Sequence, residues 1–172
     1  FDYMGETALH NASVEGHKEV VELLLKHKEI DINKADKNGE TPLIEASDNG
    51  YKDIVELLLQ HKDIDINKAD NNGETPLIKG SDNRHKDIVE LLLQDKTYSS
   101  SSSSAGNTIS SDSSSSSSTT GQNSLSLTRS QAAIDVNRKD NNGWTALIIA
   151  VDEGHCEVVQ MLLDFKGNKE YG

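Results

Sequence analysis

Gly5, Gly39 and Gly73 stand 34 residues apart, and the chain between them repeats itself. The stretch "GETALHNASVEGHKEVVELLLKHKEIDINKADKN" at 5–38 and the stretch "GETPLIEASDNGYKDIVELLLQHKDIDINKADNN" at 39–72 agree at 23 of 34 positions without a gap. A third copy, "GETPLIKGSDNRHKDIVELLLQDK", starts at Gly73 and matches the second at 19 of 24 positions. A fourth, "GWTALIIAVDEGHCEVVQMLLDFK", starts at Gly143, a step of 70 that holds one period and a further 36 residues. A fixed period of this length means a stack of like units, each too small to cover its own apolar face.

Each unit reads as a helical hairpin. Thr41 followed by Pro42 is a helix start: the hydroxyl caps free amides and proline fits the first turn. The first helix runs through Ser47 and ends near Gly50, where a residue without a side chain takes a left-handed conformation. In the second helix, "KDIVELLLQHK", Ile54, Leu57 and Leu58 form one stripe that Val55 and Leu59 widen, as suits a helix covered on two sides. "DIDIN" then alternates polar and apolar, which predicts a short extended segment with Ile64 and Ile66 on one face. "DNNG" at 70–73 supplies a turn.

The extra 36 residues fall at 97–132, and between Ser99 and Ser130 there are 17 serines in 32 residues. Such a stretch buries too little apolar area to offset the entropy of ordering it, which predicts a disordered insertion. A tenfold longer linker costs only about 2 kcal/mol in closure entropy, so the fourth repeat is expected to dock on the third regardless. Expansion of a simple repeat without function accounts for the serines. A phosphorylated switch is the sharper alternative, with Asp112 as a hint of an acid-directed kinase site. The expected division is 1–96 for repeats one to three, 97–132 for the insertion, and 133–172 for the end of repeat three and repeat four.

The pattern resembles the ankyrin repeat. The residues that carry the likeness are the turn "D-x-x-G" at Asp2–Gly5, Asp36–Gly39, Asp70–Gly73 and Asp140–Gly143, and "T-P-L" at Thr41–Leu43 and Thr75–Leu77. "G-H" at Gly16–His17 and Gly154–His155, "V-V-x-L-L-L" at Val20–Leu25 and "I-D-I-N" with its second isoleucine at Ile32 and Ile66 extend it. The resemblance implies an all-α solenoid of about four helix-turn-helix repeats with short β-hairpin-like turns. The family's histidine after "T-P-L" survives only as His10, with Ile44, Ile78 and Ile148 elsewhere. In the third copy Arg84 replaces the helix-ending glycine and Gly80 replaces the small Ala46. Each change costs roughly 1 kcal/mol, so the third repeat is expected to be the weakest.

Little in the chain suggests chemistry. Aligned by repeat, His17, His85 and His155 share one position, and His27 and His61 share another; equivalents in a stack lie along a line and do not converge on one metal ion. His27 and His61, near helix ends, are read as partners of the helix dipole. "KADNNGE" imitates a calcium loop, but Lys68 and Lys79 stand where ligands should be. Cys156 near a helix start has only His155 beside it. No catalytic, cofactor-binding or metal residues are expected. A formal charge of −12 argues against nucleic acid as a partner, and no apolar run is long enough for a bilayer. The lone cysteine suggests a reducing compartment, the cytoplasm or alternatively the nucleus, and a start at Phe1 with no basic-then-apolar run suggests an excised piece of a longer protein, with a removed leader as the alternative.

By resemblance, then, the chain is a non-enzymatic protein-interaction module that holds a protein partner on a concave face of turn tips and first helices. The alternative is a regulatory or targeting segment of a larger enzyme such as a kinase, acyltransferase or ubiquitin ligase. Carried over position by position, the partner-binding candidates are Tyr3, Met4, Glu6, Lys37, Glu40, Asp48, Glu74, Asp82, Trp144 and Asp152. The acidic middle favours a partner with a basic segment. Trp144, the only tryptophan, stands where the other repeats carry glutamate and is read as a hot spot, or else as a ring folded over its neighbouring turn.

Overall fold

The computed structural model describes residues 5–94 and 133–169; Tyr3, Met4 and the whole insertion at 97–132 lie outside them. Among the described residues there are eight helices and no strand. They pair as α1 (Ala8–Val14) with α2 (Lys18–Leu25), α3 (Pro42–Asp48) with α4 (Lys52–Leu59), α5 (Pro76–Asp82) with α6 (Lys86–Leu93), and α7 (Ala146–Asp152) with α8 (Cys156–Lys169). First helices α1, α3, α5 and α7 pack side by side in chain order, and the second helices form a row behind them.

Local chemistry sets each hairpin. Thr7, Thr41, Thr75 and Thr145 are extended at the helix starts, and each hydroxyl oxygen accepts the N–H of the third residue on. Pro42 and Pro76 occupy the first turn, where no partner for their missing N–H is needed. Between the helices the chain turns through a positive φ. In repeat two Gly50 supplies it at +79°, and in repeat three Arg84 is forced to +60°. Ile54, Val55, Leu58 and Leu59 of α4 are buried while Leu57 is half-buried, the broad stripe expected of a helix flanked on two sides.

The apolar side chains form one continuous core that runs through all four hairpins. Ile134 and Val136, which follow the insertion, belong to it. Polar rungs cross the same boundary without a change of pattern. Asn33 donates its amide to Asp63 O at 2.6 Å and accepts the Asp65 N–H at 2.8 Å; Asn67 does the same with Ala133 O and the Asp135 N–H, at 2.9 and 2.8 Å. The fourth hairpin is thus stacked on the third, with α7 against α5 and α8 against α6.

Two details differ from the sequence reading or sharpen it. The "DIDIN" stretch is a turn: Asp65 Oδ1 accepts the Asn67 N–H at 3.0 Å, so the aspartate bends its own backbone and no extended segment forms. Ile64 is buried and Ile66 half-buried even so. His10 accepts the Thr7 N–H on Nδ1 at 3.1 Å and donates from Nε2 to Glu40 O at 3.0 Å, tying repeat one to repeat two. The isoleucines at 44, 78 and 148 lack that polar tie and offer apolar contact alone.

Candidate partner-binding face

The face is built from the turn tips upward. Asp70 Oδ1 accepts the N–H groups of Asn72 and Glu74, both at 2.8 Å, and Asp36 and Asp140 hold their own turns in the same way. Gly39 completes its turn at φ +82°; a Cβ there would stand 2.7 Å from the backbone N of Asn71 in the next repeat. Only glycine allows that approach. Successive tips are then joined, Asn71 N–H to Asn38 O at 2.9 Å and Asn141 N–H to Asn72 O at 2.8 Å. The tips form a rigid ladder beside the first helices.

Charge on this face is unevenly distributed. In repeat two Glu45 is half-buried, and its pKa is pushed up to about 7, first by burial and then by the carboxylates of Glu40, Asp48 and Asp36. One repeat on, the equivalent residue is Lys79. Its ammonium lies 2.9 Å from Glu74 and 3.9 Å from both Asp48 and Asp70. Burial pushes the Lys79 pKa down, but the bond to Glu74 and the three nearby carboxylates outweigh it and the net shift is upward. Asp70, itself buried, has its pKa raised by that burial in spite of the two N–H groups it accepts.

In repeat four the same position is Ile149, which carries no charge. Between repeats three and four a cavity of about 430 Å³ opens instead. Trp144, 40% exposed, and Ile149 supply its apolar lining. Glu74, Asp82, Asp140 and Glu153 line the rest together with Asn142.

Of the ten candidate residues, Glu74, Asp82 and Trp144 meet in this cavity. Asp48 and Glu74 are joined through Lys79, and Asp48 also accepts the Asn83 amide at 3.0 Å. Glu40 is half-buried and accepts the Asn38 amide at 3.3 Å. Glu6 is half-buried, Lys37 and Asp152 are exposed, and Asp152 does not line the cavity. Tyr3 and Met4 lie outside the described residues.

The sequence reading missed the position held by Asn11, Glu45, Lys79 and Ile149. A signal for it was present: this slot carries a different residue in each repeat, inside a helix whose other positions hold no more than two residue types each.

The histidines serve the stack. His85 donates from Nε2 to Asp48 O at 3.0 Å and His155 from Nδ1 to Ser81 O at 2.9 Å, each reaching back to the preceding repeat. The thiol of Cys156 is exposed and lies 3.6 Å from Gly154 O. Among the described residues no three His, Cys, Asp or Glu side chains gather to hold a metal ion, and no helix is long and apolar enough to cross a membrane.

Comparison with known families agrees with this geometry. The family model for ankyrin repeats in three copies matches residues 2–70 and 28–103, and the one for ankyrin repeats in many copies matches 124–163. No curated protein matches the chain.

Proposed function

The chain belongs to the ankyrin-repeat family, and from that premise we propose that it is a scaffold or adaptor holding a protein partner on the face made by its turn tips and first helices. Ankyrin repeats are in general protein–protein interaction modules and typically carry no enzymatic activity of their own. One observation carries the finer reading. The slot that varies from repeat to repeat (Asn11, Glu45, Lys79, Ile149) falls on the first helices, whereas α4 and α6 share the sequence "KDIVELLL". A surface that reads a partner must differ along its length; a surface that only packs need not.

The face is acidic: after burial, which is the larger cause, the carboxylates of Glu40, Asp48 and Asp36 lie close enough to raise the Glu45 pKa. Charge of one sign along a groove steers an oppositely charged segment into it, so a basic segment of the partner is the expected ligand. The test is affinity capture followed by mass spectrometry, with the charge of single residues reversed. Glu40→Lys and Glu74→Lys are expected to lower recovery of the specific partners at least fivefold, and Glu56→Lys on α4 to leave it unchanged. Equal recovery with all three variants would move the binding surface off this face.

A further inference from the structure

We propose that the cavity between repeats three and four receives a lysine side chain of the partner, an inference that rests on the binding face assigned above and names one of its pockets. Two independent observations meet here. The first is the cavity itself, about 430 Å³ with the exposed indole of Trp144 in its lining and carboxylates around it. The second is an internal precedent one repeat away. Asp48, Asp70 and Glu74 face a groove that the chain fills for itself, with the Lys79 ammonium at 3.9, 3.9 and 2.9 Å from them. Moved on by one repeat, those positions are Asp82, Asp140 and Trp144, and the position of the lysine is Ile149. The same groove therefore recurs with two of its three carboxylates in place, an indole where the third stood, and isoleucine in place of the lysine.

The carboxylates keep the roles their counterparts have beside an ammonium. Asp140 Oδ1 accepts the N–H groups of Asn142 and Trp144 just as Asp70 Oδ1 accepts those of Asn72 and Glu74, and Asp70 still faces Lys79. Glu74 is already paired with Lys79, so Asp82 and Glu153 supply the uncompensated charge; neither takes part in an ion pair among the described residues. Among the described residues no three acidic or histidine groups converge as a metal ion requires, which suits a side-chain ammonium better than a bare divalent cation. Trp144 replaces a carboxylate by an indole face, which attracts a cation and covers the aliphatic stem of a lysine.

The only tryptophan of the chain stands in this cavity, so its fluorescence reports occupancy directly. The probe is the capped peptide Gly-Gly-Lys-Gly-Gly, titrated into the full chain at low salt, with its acetyl-lysine counterpart as control. The lysine peptide is expected to shift Trp144 emission saturably, and the acetylated one to bind at least tenfold more weakly. Ile149→Lys restores the internal ammonium and is expected to abolish the response. Because a lysine at a buried position endangers folding, Asp82→Asn combined with Glu153→Gln serves as a second variant, expected to weaken binding at least fivefold. Equal responses to both peptides, or an undiminished response in the double variant, would overturn the proposal. If the lysine peptide gives no response while Glu40→Lys and Glu74→Lys still release partners, the pocket assignment fails and the binding face stands.

Discussion

Arg84 shows how one residue acts through its neighbour. The imidazole of His85 lies over Gly50, its ring atoms 2.7–3.1 Å from where a Cβ would stand. Arg84 puts a Cβ at the equivalent place one repeat on, and His155 binds Ser81 O through Nδ1, whereas His85 binds Asp48 O, the carbonyl one position further along its repeat, through Nε2. Replacing Arg84 with Gly relieves a left-handed non-glycine residue and is expected to raise stability by about 1 kcal/mol in urea titrations. The same variant should move the His155 proton from Nδ1 to Nε2, read from its ring nitrogen shifts. Glu45 gives a second prediction. Its folded pKa of about 7 lies above the ordinary 4.5, so the folded chain holds that proton more tightly than the unfolded chain between those values. Its contribution to stability is complete below pH 4.5 and is lost as pH rises through 7. Glu45→Gln is expected to remove this slope, raising stability at pH 8 by about 1 kcal/mol once half-exposure is discounted, with no gain at pH 4.5.

At the scale of elements, the rungs between repeats decide how far cooperativity reaches. Asn67 joins the turn of repeat two to Ala133 and Asp135, and these bonds close the stack across the insertion. Asn67→Ala should cost about 1–2 kcal/mol, the worth of two hydrogen bonds made by one amide. Amide exchange is expected to accelerate in Ile134–Val136 and α7 more than in α3. Asn33→Ala, which breaks the matching rung between repeats one and two, should place its damage at the other end. Helix boundaries, caps and the buried stripe of α4 were legible from Thr-Pro, Gly and the apolar spacing, because each is local. The "DIDIN" turn was misread as extended because alternation counts polarity and ignores that Asp65 can hydrogen-bond the backbone two residues on.

For the whole molecule, the test is removal of the insertion. Excising 97–132 joins Lys96 to Ala133 and restores the 34-residue period. We predict one cooperative unfolding transition before and after excision, with a gain in stability of no more than about 2 kcal/mol from the shorter closure. Two transitions in the intact chain, or loss of α7 and α8 from the stack, would contradict the continuous core. The candidate face was only partly legible at this scale. Repeat alignment selects Glu74, Asp82 and Trp144, which do meet, but alignment treats positions one at a time. It does not show that Lys79 reaches across to Asp48 in the preceding repeat, nor that Ile149 leaves the next groove open.

The sequence alone determined the family, the number of hairpins and the identity of the residues that turn the chain, because these depend on contacts within one period or on its repetition. Tertiary structure decided what lies between the repeats: which carboxylates are answered by an internal ammonium, which are not, and where the tryptophan stands. Those facts depend on side chains from two units meeting in one groove, and the distances that govern charge and cavity exist only once the units are stacked.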